Sequence, residues 1–279
     1  MTTTDLMVGS HDYRLAALSI LISILAAYAA NSLIDRLRDA RGRLWFAWLI
    51  GGATADAIGI WSMHYTAMLG YRLPVPVQYD WPTVVLSLLV AVIGSAAALI
   101  AVSYSDISWL GTWSAGIFMG GIAIAGLHYT AMDAMQLQGM HRYDTTLVIL
   151  SVALAIVLSS MALTVAFVFQ NDTVPRRWRI HGGAMLRGAA NPVMHFTAMA
   201  AVSYMRVSEL PDLSHAVSIS SIGVIGISIV PVMMLVVVIL TSVADRLRKQ
   251  RALLDELFEQ APQAVALVGA DVRDRKSVV

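Results

Sequence analysis

Long apolar runs separated by short polar joints dominate the chain. Seven runs stand out: Leu15–Leu33, Leu44–Leu69, Thr83–Tyr104, Thr112–Met135, Thr145–Phe169, Gly182–Met205 and Ile219–Ser242. A helix rises 1.5 Å per residue, so about 20 apolar residues cross the hydrocarbon of a bilayer. The pattern predicts seven transmembrane helices. The sixth run is the least apolar, because Arg187, Asn191 and Pro192 interrupt it. Arg187 lies near one end, where its long stem is expected to snorkel to the interface.

Composition agrees. The 279 residues are 58% hydrophobic and 13% charged, with a mean hydropathy of +0.70. Soluble domains run at about 45–50% apolar and about 25% charged. The net charge of +1 argues neither for nor against nucleic acid, and the distribution of charge matters more; no nucleic-acid partner is expected. Cysteine is absent, which excludes disulfides, thiolate metal sites and cysteine nucleophiles. The N-terminus MTTTDLMVGSHDYR lacks the pattern of a cleavable signal peptide.

Arginine and lysine set an orientation. Arg36, Arg38, Arg41 and Arg43 follow the first run, Arg176, Arg177 and Arg179 the fifth, and Arg246, Arg248, Lys249 and Arg251 the seventh. The other side carries Arg14, Arg72, Arg142 and Arg206, one per segment. The positive-inside rule then puts the N-terminus outside and the C-terminus in the cytoplasm.

A short motif recurs inside three of the runs. HYTAM stands at His64–Met68 and at His128–Met132, and HFTAM at His195–Met199. The histidines are 64 and 67 residues apart, about the length of two crossings with their loops. Three tandem helix-pair repeats (helices 2–3, 4–5 and 6–7) follow, with helix 1 left over. An even number of crossings brings all three motifs to one depth near the outer face. Histidine and methionine at i and i+4 share a helix face. Imidazole binds copper, zinc, iron or nickel, and thioether favours Cu(I). Carboxylates for magnesium or calcium are missing from the motifs. A lone histidine in such a run is ordinarily a packing residue; three at one depth point to a shared site.

WSMHYTAM, GLHYTAMDAM and PVMHFTAMAA resemble the three signature motifs of the MHYT domain, a bacterial integral-membrane sensor module. The resemblance covers about residues 10–243. It implies an all-α membrane protein of the bacterial inner membrane with seven transmembrane helices. It further implies bound copper near the outer face, a diatomic gas (oxygen, CO or NO) or redox state as the stimulus, and cytoplasmic PAS, GGDEF or EAL partners acting on cyclic di-GMP. The motif residues that carry over are Met63, His64, Tyr65 and Met68; His128, Tyr129 and Met132; and Met194, His195 and Met199. Two positions depart, Leu127 before the second histidine and Phe196 after the third. The metal candidates are therefore His64, Met68, His128, Met132, His195, Met199, Met63 and Met194, with Tyr65, Tyr129 and Asp56 in support. Asp56 is either part of the site or the partner of Arg187. His141 in the outer loop, His11 and His215 read as solvated residues, and the glycine pairs Gly51-Gly52, Gly120-Gly121 and Gly182-Gly183 as helix packing.

The chain divides into a membrane domain over 1–243, an amphipathic connector helix over 244–260 and a PAS-like beginning over 261–279. Leu247, Leu254 and Phe258 form one stripe on the connector, suited to pairing in a homodimer. The segment LLDELFEQAPQAVALVGAD is similar to the opening helix and first strand of a PAS domain. No catalytic motif is present, so enzymatic output is expected outside this chain. Besides a sensor, the pattern admits a copper or haem carrier and a purely structural bundle.

Overall fold

The computed structural model describes residues 6–103, 109–168, 176–207 and 213–276, without the side chains of 35, 167–168, 176–177, 179–180 and 255–276. Seven long helices run through these residues: α1 (Tyr13–Asp39), α2 (Arg43–Leu69), α3 (Trp81–Val102), α4 (Trp109–Asp133), α5 (Thr145–Leu163), α6 (Arg176–Ala201) and α7 (Ile219–Lys276). All but α6 carry a segment long and apolar enough to cross a membrane. The architecture is that of an all-α, multi-pass membrane protein. Ile50, Ile93 and Ile149 are exposed on the outside of the bundle, as side chains facing lipid are. Gly42 joins α1 to α2 with φ 59°, a left-handed conformation that glycine adopts without Cβ strain. Within α4, residues Ile117–Gly126 take π-helical hydrogen bonding. Glycines within the segment let α4 approach α5 closely. A Cβ on Gly120 would stand 2.5 Å from the Ala155 carbonyl carbon.

Helices α1 to α6 form a closed ring, each packed on the next and α6 back on α1. Close approaches mark both ends of the closure: Gly59 faces Ala26 of α1, and Gly188 faces the backbone of Ile24. This changes the expected pairing. In space α6 pairs with α1, and α7 is the helix outside the threefold. The first residues of α1 explain why. HDYRLAALS at 11–19 parallels YDWPTVVLS at 79–87 and YDTTLVILS at 143–151. Asp12, Asp80 and Asp144 each cap their helix by accepting from backbone N–H groups of its first turn. Ser19, Ser87 and Ser151 are each wholly buried. Each donates to the carbonyl three residues back, at 2.7 Å.

A cap of short strands covers the motif end of the ring. The strands are β1 (Leu6–Met7), β2 (Ser10–His11), β3 (Tyr71–Arg72), β4 (Gln78–Asp80), β5 (Met135–Gln136), β6 (Gly139–Tyr143), β7 (Val202–Arg206) and β8 (Ala216–Ser218). The antiparallel pairs β2·β3, β4·β5 and β6·β7 repeat the threefold, with His11 opposite Tyr71, Tyr79 opposite Met135 and Tyr143 opposite Val202. The amides of Asp12, Asp80 and Asp144 donate to the carbonyls of Gly70, Ala134 and Ala201 at 2.8, 2.8 and 2.9 Å. β1 and β8 extend two of these sheets. The end of the sixth apolar run, predicted as helix to Met205, is β7 instead, because its backbone finds partners in β1 and β6.

The chain from Leu235 onward forms a second compact unit, helical through Lys276. The first strand expected for the PAS-like segment is thus helical over 261–276. A helix satisfies its backbone hydrogen bonds internally, whereas a strand needs a neighbour to pair with. Leu247 and Leu254 of the connector are exposed; Phe258 lies among the side chains outside the described residues.

Candidate metal centre

Each motif occupies the cap end of an inner helix: His64 on α2, His128 on α4 and His195 on α6. The three helices point the same way, so equal sequence depth becomes equal depth in space. His128 Nδ1 lies 3.2 Å from His64 Nδ1 and 3.2 Å from His195 Nδ1. One ring nitrogen from each histidine falls within 4.8 Å of the other two. The ring centroids are 5.0–5.1 Å apart and the planes cross at 81–85°, a three-bladed propeller. All three side chains are at most 2% exposed.

The donor set fits a metal ion. Two nitrogens bound to one ion at about 2.0 Å, at tetrahedral or trigonal angles, stand about 3.3–3.5 Å apart. The 3.2 Å separations are close to that value. Each Nε2 is buried without a protein hydrogen-bond partner. Six ring nitrogens in a dry interior thus share two contacts, a polarity that packing alone leaves unmet.

An aromatic collar surrounds the propeller. Tyr65 stands edge-on to His64 (4.8 Å, 89°), Tyr129 to His128 (5.0 Å, 86°) and Phe196 to His195 (5.0 Å, 83°). Phe196 supplies the same ring without a hydroxyl, so the ring is what the three places have in common. The Tyr129 hydroxyl hydrogen-bonds Ser151 at 2.7 Å. A second ring from the cap backs each collar member: Tyr79 behind Tyr65, Tyr143 behind Tyr129 and His11 behind Phe196, at 5.7, 5.8 and 5.7 Å. Burial pushes the Tyr79 and Tyr143 phenols above their usual range and the His11 imidazole below its own.

Met68, Met132 and Met199 lie one turn nearer the cap and are buried. Met63 and Met194 precede their histidines and are also buried, as is Leu127 in the matching place. Methionine fills this buried position in two repeats and leucine in one.

Asp56 sits two turns below the histidines, in a network of its own. Its carboxylate pairs with Arg187 Nη2 at 2.6 Å and accepts from Ser95 Oγ at 2.7 Å. Arg187 also donates to Asn31 Oδ1 at 2.8 Å and contacts Met119 Sδ at 3.9 Å. Arg187 therefore does not snorkel. Its side chain is 4% exposed, held inside the bundle by a carboxylate that would otherwise be an unpaired buried charge. Asp56, Gly120 and Arg187 each precede a motif histidine by eight residues. The pair thus occupies two of three matching positions in the sequence; the third, Gly120, lies in the π-helical part of α4.

His141 meets Asp133 at 4.0 Å near the cap surface, and His215 packs on Trp81. The reading from sequence left out His11 as a member of the ring stack. The parallel of HDYRLAALS with YDWPTVVLS and YDTTLVILS carries that signal.

A bundle of apolar helices with three histidines buried together at one end defines a multi-pass membrane module. The family model described as the bacterial signalling protein N-terminal repeat, MHYT, matches residues 58–115 and 121–179. The chain belongs to the MHYT family; the third motif, at His195, lies beyond the matched repeats. It is 37% identical to the bifunctional diguanylate cyclase/cyclic di-GMP phosphodiesterase MucR of Pseudomonas aeruginosa over 199 residues, 71% of this chain and 29% of that protein. It is 34% identical to the cyclic di-GMP phosphodiesterase NbdA of the same organism, over 69% of this chain and 24% of NbdA. To the signaling protein YkoW of Bacillus subtilis it is 27% identical, over 70% of this chain and 24% of YkoW. The alignments thus span less than a third of each of these relatives. No solved structure matches.

Proposed function

We propose that this membrane domain is the sensor part of a cyclic di-GMP signalling protein, and that His64, His128 and His195 together hold one copper ion. The observation that carries the reading is the convergence of three buried imidazoles from three parallel helices. Copper is favoured among the metals that imidazole binds because a layer of thioethers, Met68, Met132 and Met199, lies one turn outward. When bound, the ion supplies an acceptor for a diatomic ligand or an electron, which is the stimulus in this reading. The residues do the rest. The histidines fix α2, α4 and α6 relative to one another, the aromatic collar excludes water, and the Asp56–Arg187 pair ties α2 to α6 below. A change in ligation that favours one arrangement of these helices over another shifts the population between them.

The arginine-rich joints support an orientation with the motif end and the N-terminus outside the inner membrane and α7 leading to the cytoplasm. The names of MucR and NbdA support cyclic di-GMP output, with PAS, GGDEF or EAL-type domains as partners and catalysis outside this membrane domain. Haem fits less well: a third imidazole stands where a macrocycle would separate two axial histidines. Transport fits less well too, since the layer below the histidines is a closed ion pair.

The test is to purify the protein anaerobically, quantify metals, and repeat with His64, His128 and His195 changed to alanine. Copper lost in the variant supports the reading. A wild-type protein without histidine-dependent metal overturns it.

A further inference from the structure

The three ring stacks around the histidines do not end alike. Two end in phenols of the cap, Tyr79 and Tyr143. The third ends in the His11 imidazole, over Phe196. An open cleft of about 470 Å³ reaches this third place, and Met7, His11, Phe196 and Met199 line it. His195 stands directly behind Phe196, with ring centroids 5.0 Å apart. The cleft therefore ends one aromatic ring away from the triad.

We propose that the cleft is a metal-loading site, where His11 and the thioethers of Met7 and Met199 receive Cu(I) from outside the cap and pass it by Phe196 to the three histidines. The proposal rests on the copper reading above. Imidazole and thioether are the donor types that hold Cu(I). Among the described residues lining the cleft there is no carboxylate, so hard cations find no matching ligand. A bare cation does not enter an apolar interior without large cost, so a soft-donor relay is what such a path requires. Met199 follows His195 by one helical turn, about 6 Å along the axis, and so belongs to both the cleft and the motif. The transfer is an exchange of ligands; the copper stays Cu(I) throughout.

The experiment uses the full chain in lipid nanodiscs, stripped of metal and kept anaerobic. Cu(I) is offered from a chromogenic chelator, and both the rate and the final copper per chain are read. His11→Ala combined with Met7→Leu should slow loading about tenfold and leave the final stoichiometry unchanged, because the three histidines that hold the ion are intact. Ala200→Trp keeps every donor but fills the exposed cleft wall, and should slow loading as well. Tyr143→Phe, at the matching place in another stack, should load at the wild-type rate. Variants are compared at equal thermal unfolding midpoints. Wild-type loading in the double variant overturns the loading site and leaves the central site standing. Absence of histidine-dependent copper in the wild-type chain overturns both.

Discussion

Two layers of the same bundle, two helical turns apart, follow opposite rules. In the upper layer the threefold is kept: three histidines, three edge-on rings and three cap pairings repeat with nearly equal distances. In the lower layer it is broken: Asp56, Gly120 and Arg187 share the same offset from their histidines in sequence, and only Asp56 and Arg187 pair. Identical ligands can surround one ion without conflict. Identical charges in a buried core cannot, so below the histidines the repeat gives way to an ion pair and a glycine packed close on the next helix. The upper layer brings three imidazoles together; the lower one ties α2 to α6 by an ion pair.

That contrast can be broken from below first. Asp56→Ala leaves the Arg187 guanidinium buried without its carboxylate, and stability should fall by about 3–5 kcal/mol. Thermal unfolding in detergent would register it, and an unchanged midpoint would remove the structural role assigned to the pair. Gly120→Leu, which drives a side chain into the Ala155 backbone, should cost about 1–3 kcal/mol in the same assay. The upper layer should respond more gently. Tyr129→Phe deletes the hydroxyl bonded to Ser151 and should cost about 1 kcal/mol with copper content unchanged, because Phe196 already serves in the third stack. Smallest of all is Leu127→Met. A volume-conserving exchange at a buried position should move stability by less than about 1.5 kcal/mol and copper affinity not at all. A gain in affinity would make Met63 and Met194 ligands.

Much of this was legible in the sequence. The apolar runs predicted the seven helices, and the spacing of His64, His128 and His195 predicted their common depth. What was missed has physical reasons. Strands of two to five residues carry too little periodicity to be seen, so the cap went unpredicted. Arg187 near the end of an apolar run reads as a snorkelling residue unless its carboxylate partner on another helix is known. The pairing of α6 with α1 crosses the chain from end to middle. A search for tandem units misses such a closure, although the HDYRLAALS segment announces it. Sequence offers the methionines as ligands; the fold buries Met68, Met132 and Met199 one helical turn beyond the histidines and Met63 and Met194 next to them in the chain.

The central claim concerns which atoms surround the ion. X-ray absorption at the copper edge, on anaerobically purified protein, reads those atoms directly. The account predicts a nitrogen shell at about 2.0 Å with the outer-shell scattering of imidazole rings, lost in His128→Ala, whose ring touches both others. A copper environment without imidazole scattering, or one that survives loss of His128, would contradict it.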